Sequence, residues 1–165
     1  MISERLITGD GSLTVAAYWT KVQCRRITFP RYGPPVGKTR SLIAVVDDEE
    51  PVRIALRRLL RSAGLDVETY PSGAEFLDSL KSHRPDCVVL DLHMPQVSGF
   101  AVQARLAETG HALPVVVITG HDSDETRERA LAAGIVAYLR KPVDGQTLLD
   151  AITTAIAHPP RTGAA

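Results

Sequence analysis

Polar side chains that can handle phosphate or a metal ion follow four apolar runs of the sequence. They are Asp47 and Asp48 after residues 42–46, Asp91 after residues 87–90, Thr119 after residues 115–118, and Lys141 after residues 138–139. If these runs are neighbouring parallel strands, the polar side chains converge at one edge of a sheet. Three carboxylates, a hydroxyl and a lysine would then share one pocket. This is the set of groups that a magnesium-dependent aspartyl phosphate requires.

The elements that must position these groups alternate along the chain from residue 41 onward. The patterns predict strands at 42–46, 66–69, 86–90, 114–119 and 136–139, and helices at about 50–63, 72–81, 98–109, 123–133 and 144–157. Alternation of this kind predicts an α/β fold, with a five-stranded parallel sheet and helices on both faces. Three of the strands are apolar throughout, as strands buried on both faces are.

Length and composition indicate one globular domain with a substantial core. The chain has 165 residues, of which 44% are hydrophobic and 23% are charged. No stretch approaches about 18 consecutive apolar residues, so we expect no membrane span. The N-terminus lacks the apolar core of a signal peptide. Two cysteines, Cys24 and Cys87, do not suggest a disulfide framework, so we expect free thiols in a cytoplasmic protein.

Charge divides the chain into a basic leader and an acidic remainder. Residues 1–40 contain seven basic and two acidic side chains, a net charge of +5, and the remaining 125 residues carry −5. A cluster of proline and glycine between residues 30 and 37 indicates a linker. We therefore expect a basic, flexible extension at 1–40, a folded domain at 41–158 and a disordered tail at 159–165. The basic residues are too sparse for a nucleic-acid arm, so no direct nucleic-acid binding is expected.

As a set, the motifs of this chain resemble the receiver domain of bacterial two-component response regulators. They are Val45-Val46-Asp47-Asp48-Glu49, Asp91-Leu92-His93-Met94-Pro95, Ser98-Gly99, Thr119-Gly120 and Lys141-Pro142. The resemblance covers residues 41–157 and is greatest to receivers of the nitrogen-fixation type. It implies a flavodoxin-like strand order, 2-1-3-4-5. It also implies a phosphorelay function in the cytoplasm rather than enzymatic turnover, apart from self-phosphorylation and self-dephosphorylation.

The resemblance assigns a role to each residue of the predicted pocket. Asp91 matches the phosphoacceptor, Thr119 and Lys141 match the residues that contact the phosphoryl group, and Mg²⁺ would be held by Asp47, Asp48, Asp91 and the main-chain carbonyl of His93. The implied phosphoryl donor is a histidine kinase or a histidine phosphotransfer protein.

The resemblance also implies roles around the pocket and on the surface. Thr119 and Tyr138 match the switch pair, whose movement would reshape the surface of the fourth helix, fifth strand and fifth helix. That surface is the expected site of a phosphorylation-dependent homodimer. His93 and His121 occupy positions that tune phosphate lifetime in this family. The face of the first helix that would dock the kinase carries Glu50, Ile54 and Arg57.

Two alternatives remain open at this stage. A hydrolase of the haloacid-dehalogenase type also forms an aspartyl phosphate, but it places a second Asp two residues after the nucleophile, where this chain has His93. The chain could also be the receiver fragment of a DNA-binding transcriptional regulator, because the eight residues after 157 are too few to fold into an output domain. Incubation with an acyl phosphate and Mg²⁺ separates a receiver, which accumulates phosphate, from a phosphatase, which turns over.

Overall fold

The computed structural model of the protein describes residues 40–110 and 112–158. The tail predicted at 159–165, and all of the predicted extension except Arg40, lie outside the described residues. None of the helices within the described ranges is both long enough and apolar enough to cross a membrane.

Five strands and five helices alternate along the described chain. In order they are β1 (Leu42–Val46), α1 (Glu50–Ser62), β2 (Asp66–Tyr70), α2 (Gly73–Ser79), β3 (Cys87–Asp91), α3 (Gly99–Glu108), β4 (Val115–Thr119), α4 (Asp124–Ala132), β5 (Ala137–Arg140) and α5 (Gly145–Ala157). All strand pairs are parallel, and the sheet order is β2-β1-β3-β4-β5. The predicted fold class and strand order are confirmed.

Most predicted helix boundaries differ from the observed ones because the predicted ranges include cap residues. Ser98, Ser123 and Asp144 each lie one position before a helix, where the side chain accepts a hydrogen bond from a backbone N–H of the first turn. The second helix is shorter than predicted at its C-terminal end. There the N–H groups of Lys81 and Ser82 bond to carbonyls three residues back, which tightens the last turn and ends the helix.

The two faces of the sheet form two separate apolar clusters. Alternate strand residues pack against α1 and α5 on one face, where Leu60 and Ile152 are fully or almost fully buried. The intervening strand residues pack on the other face against α2, α3 and α4, around Phe76 and Val102. Burial on both faces explains why β1, β3 and β4 are apolar without interruption. Packing on both faces also holds the carboxyl ends of these strands in place, and the polar residues of the pocket lie at those ends.

Candidate functional site

An acidic pocket lies beyond the carboxyl ends of β1 and β3, which are adjacent strands of the sheet. Asp47 follows β1 and is 0% exposed, and Asp91 ends β3 and is 4% exposed. Asp48 is exposed at the rim. One carboxylate oxygen from each of the three residues lies within 4.8 Å of the others. Three oxygens at this spacing fit a hard divalent cation such as Mg²⁺, which binds few carboxylates and retains water ligands.

Lys141, one residue beyond β5, crosses the sheet edge to reach this pocket. Its Nζ lies 2.7 Å from Asp47 Oδ2, 2.9 Å from Asp91 Oδ2 and 3.1 Å from Glu49 Oε1. Burial opposes its positive charge, but the hydrogen bonds and charges of Asp47 and Asp91 outweigh burial and raise the pKa of Lys141. The ammonium therefore remains charged and offsets part of the carboxylate repulsion.

Asp47 is the least accessible carboxylate of the pocket. Burial raises the pKa of Asp47, while its bonds to Lys141 and to the backbone N–H of Glu49 act in the opposite direction. The Glu49 N–H donates to Asp47 Oδ1 at 2.9 Å. Sequence reasoning assigned no role to Glu49, which both orients this carboxylate and binds Lys141 through its own side chain.

Thr119 ends β4 with its side chain fully buried beside the acceptor strand. Its Oγ1 lies 3.0 Å from His93 Nδ1 and accepts a hydrogen bond from the His121 N–H at 3.2 Å. The His93 N–H donates to Asp91 Oδ1 at 3.1 Å. The two imidazole rings lie side by side, with centroids 4.8 Å apart. Both histidines predicted to lie near the pocket are therefore at its rim, and His93 links Asp91 to Thr119.

The Ser98-Gly99 motif brings the start of α3 against the end of β3. A Cβ at Gly99 would lie 2.3 Å from the carbonyl oxygen of Asp91, closer than any side chain could approach. The Gly99 N–H also donates to the carbonyl of Leu92 at 3.1 Å. Only glycine fits this close approach, which holds the backbone that carries Asp91.

Tyr138 lies on β5, next to β4, and its ring is half-buried. The guanidinium carbon of Arg127 lies 5.1 Å from the ring centroid, and Arg127 Nη2 forms an ion pair with Asp122 at 3.2 Å. Burial, and then the nearby Asp122 carboxylate, raises the pKa of Tyr138. Sequence reasoning missed Arg127 and Asp122, which connect the loop after Thr119 to the ring of Tyr138.

The predicted docking residues lie on one exposed stretch of α1. Glu50 and Arg57 are exposed, and Ile54 is 43% exposed although it is a large apolar side chain. The stripe of Leu56 and Leu60 faces the core, as the helical spacing predicts. Sequence reasoning also missed Arg53, whose side chain turns back from α1 to the loop that carries Asp47 and Asp48.

The fold and the pocket together are those of the response regulator receiver domain. Residues 43–153 match the family model of that description, and the chain belongs to this family. The Transcriptional regulatory protein TdiR of Thauera aromatica is 41% identical over 117 residues, which cover 71% of this chain and 52% of that protein. The chain spans about half the length of the curated relatives it matches.

Two solved receivers have the same architecture. The crystal structure of a response regulator receiver protein from Burkholderia phymatum is 48% identical, with a TM-score of 0.65, over 73% of this chain and 99% of that chain. The crystal structure of FixJ-N is 33% identical, with a TM-score of 0.68, over 73% of this chain and 97% of that chain.

The prediction of a two-component receiver is thereby confirmed. Receivers of this family interact with histidine kinases or phosphotransfer proteins. Neither the fold nor these relatives support a hydrolase of the haloacid-dehalogenase type. The roles of individual residues remain predictions.

Proposed function

We propose that Asp91 accepts a phosphoryl group, and that Mg²⁺ is held by Asp47, Asp48, Asp91 and the main-chain carbonyl of His93. The proposal rests on one observation: three carboxylates and Lys141 converge at the carboxyl ends of the adjacent strands β1 and β3. When bound, Mg²⁺ would neutralise the crowded carboxylates that otherwise repel an incoming phosphoryl group.

The side chains of the pocket divide the work of phosphoryl transfer. A carboxylate oxygen of Asp91 forms the new bond to phosphorus, as the bond to the donor nitrogen or oxygen breaks and the donor keeps the electron pair. Lys141, already 2.9 Å from Asp91 Oδ2, supplies positive charge beside the transferred group. Positioning and charge of this kind account for most of the catalysis of phosphoryl transfer.

Thr119 and Tyr138 form the proposed switch. Phosphorylation adds about 1.5 to 2 negative charges and strong acceptor oxygens, which compete with the carbonyl of His121 for the hydrogen bond that the Thr119 hydroxyl donates. Movement of Thr119 changes the loop that bears His121 and Asp122, and hence the ion pair of Arg127 that lies over the Tyr138 ring. The surface formed by α4, β5 and α5 then changes shape, which favours a homodimer or a target protein.

Two further proposals concern turnover and docking. His93 and His121 control how water reaches the acyl phosphate, because their rings lie together at the rim of the pocket and His93 contacts the Thr119 hydroxyl. The only reactions proposed for the chain are its own phosphorylation and dephosphorylation.

The kinase or phosphotransfer protein docks on the exposed face of α1, where Ile54 offers an apolar contact.

The proposed function is tested by incubation with an acyl phosphate and Mg²⁺. We expect one phosphoryl group per chain to accumulate on the protein, with slow release of phosphate. Asp91→Asn should abolish labelling, whereas Asp78→Asn, which changes an exposed carboxylate on α2, should not. Rapid phosphate release without accumulation, or full labelling of Asp91→Asn, would contradict the proposal.

The metal site is tested separately by titration of the unphosphorylated protein with Mg²⁺. Asp48→Ala removes a carboxylate of the pocket and should weaken Mg²⁺ binding, while Asp78→Ala should leave it unchanged. Equal affinities of the parent and Asp48→Ala would show that the ion binds elsewhere.

A further inference from the structure

The loop between β1 and α1 is held by a side chain that the phosphorylation chemistry does not use. Arg53 lies on the first turn of α1, and its Nη1 donates to the carbonyl oxygen of Asp47 at 2.7 Å and to that of Asp48 at 2.8 Å. A single guanidinium nitrogen therefore bridges two consecutive carbonyls. They belong to two of the three residues whose carboxylates line the acidic pocket.

These bonds matter because the backbone leaves the sheet at this point. The Asp47 N–H still donates to the carbonyl of Tyr70, at 3.2 Å, but the carbonyls of Asp47 and Asp48 lie beyond the last paired residue of β1. Backbone carbonyls near a protein interior need hydrogen-bond partners. Arg53 supplies one partner to both, and a charged donor makes stronger hydrogen bonds than a neutral one.

The same loop is fixed on its other side by the Asp47 carboxylate. The Glu49 N–H donates to Asp47 Oδ1, so the peptide units around Asp47 and Asp48 are restrained through both their carbonyls and a side chain. Arg53 is half-buried, which limits its freedom to exchange these contacts for water.

We propose that Arg53 is a positioning residue for the metal-binding half of the pocket, an inference that rests on the proposed function. By fixing the carbonyls of Asp47 and Asp48, Arg53 holds the two carboxylates in the arrangement that a cation needs before the cation arrives. Residues that orient metal ligands typically contribute 10- to 100-fold to metal affinity. Loss of the Arg53 side-chain bonds should therefore weaken Mg²⁺ binding by about tenfold.

The test compares Arg53→Met with Arg58→Met in the 165-residue chain. Arg58 is exposed on the same helix, so its replacement removes one positive charge without touching the loop. Isothermal titration with Mg²⁺ should give about tenfold weaker binding for Arg53→Met and little change for Arg58→Met. Labelling by an acyl phosphate provides a second readout. The Mg²⁺ concentration for half-maximal rate should rise in Arg53→Met, while the rate at saturating Mg²⁺ stays within about twofold of the parent, because Arg53 does not contact the acceptor.

The outcomes separate this inference from the function on which it rests. If the parent binds Mg²⁺ and Arg53→Met binds it equally well, the positioning role is wrong and the proposed function stands. A parent chain that binds no Mg²⁺ overturns both. If circular dichroism shows that Arg53→Met does not fold, Arg53→Lys replaces it. The lysine ammonium of Arg53→Lys keeps the positive charge but ends one bond short of the Nη1 position, so weaker Mg²⁺ binding is expected. Mg²⁺ binding equal to that of the parent would overturn the inference.

Discussion

Removal of Lys141 tests how the pocket balances its charges. Lys141→Met keeps the aliphatic stem but deletes the ammonium that lies within about 3 Å of three carboxylates. The substitution removes the positive charge nearest to Asp47. Because Asp47 is fully buried, water cannot replace the lost interaction. We therefore expect the variant to be less stable in the absence of a divalent cation.

The size of the effect follows from the burial of the groups. Breaking a fully buried ion pair by removing one partner costs about 3–5 kcal/mol. The Lys141 side chain is 16% exposed and Glu49 is largely solvated, which reduces the loss. We expect a decrease of about 2 kcal/mol in the free energy of unfolding for Lys141→Met. If the folded state binds Mg²⁺ as proposed, saturating Mg²⁺ would replace the missing positive charge and should remove much of this difference.

Urea unfolding with and without Mg²⁺ measures both effects. Lys81→Met is the matched control, because Lys81 pairs with one exposed carboxylate on the surface and should not measurably change stability. If Lys141→Met unfolds at the same urea concentration as the parent in magnesium-free buffer, the ammonium does not offset the carboxylates as argued. A difference that Mg²⁺ does not reduce would show that the lost stability comes from packing instead.

Three further predictions concern the rim, the core and the assembly. His93→Ala combined with His121→Ala should change the decay rate of the phosphorylated protein several-fold, because both rings lie at the rim of the pocket and His93 contacts Thr119; equal decay rates would show that neither ring affects phosphate loss. Burial raises the pKa of Cys87 to about 12. In a Cys24→Ser variant, this thiol should therefore resist alkylation at pH 8 until the protein unfolds. Rapid alkylation of the folded protein would contradict the burial of Cys87. The phosphorylated protein should sediment as a dimer, and a monomer would leave target docking as the output.

The fold was predictable because its signals are local. Apolar strands β1, β3 and β4, and the stripe of Leu56 and Leu60 on α1, each follow from burial and periodicity. The positions of Asp47, Asp91 and Thr119 follow from the rule that ligands bind beyond the carboxyl ends of parallel strands. That rule requires only the order of the elements and no side-chain detail.

The contacts that orient the pocket were not predictable in the same way. Glu49 and Lys141 meet across 92 residues, and the contact of His93 with Thr119 spans 26. Arg53 lies near the loop in sequence, but its helical position alone would place it on the surface with the other arginines of α1. Local packing decides whether a long side chain turns toward the loop or toward solvent. Hydrophobic periodicity gives no information about that packing.

The most direct measurement of the central claim is to map the phosphoryl group on the chain. The protein is phosphorylated by a small-molecule acyl phosphate in the presence of Mg²⁺. The aspartyl phosphate that forms on the protein is then reduced with borohydride, and the modified peptide is sequenced by mass spectrometry. We expect Asp91 to be the modified residue, and we expect omission of Mg²⁺ to prevent the modification. Modification of Asp47, Asp48 or another carboxylate in place of Asp91, or equal modification without Mg²⁺, would contradict this assignment.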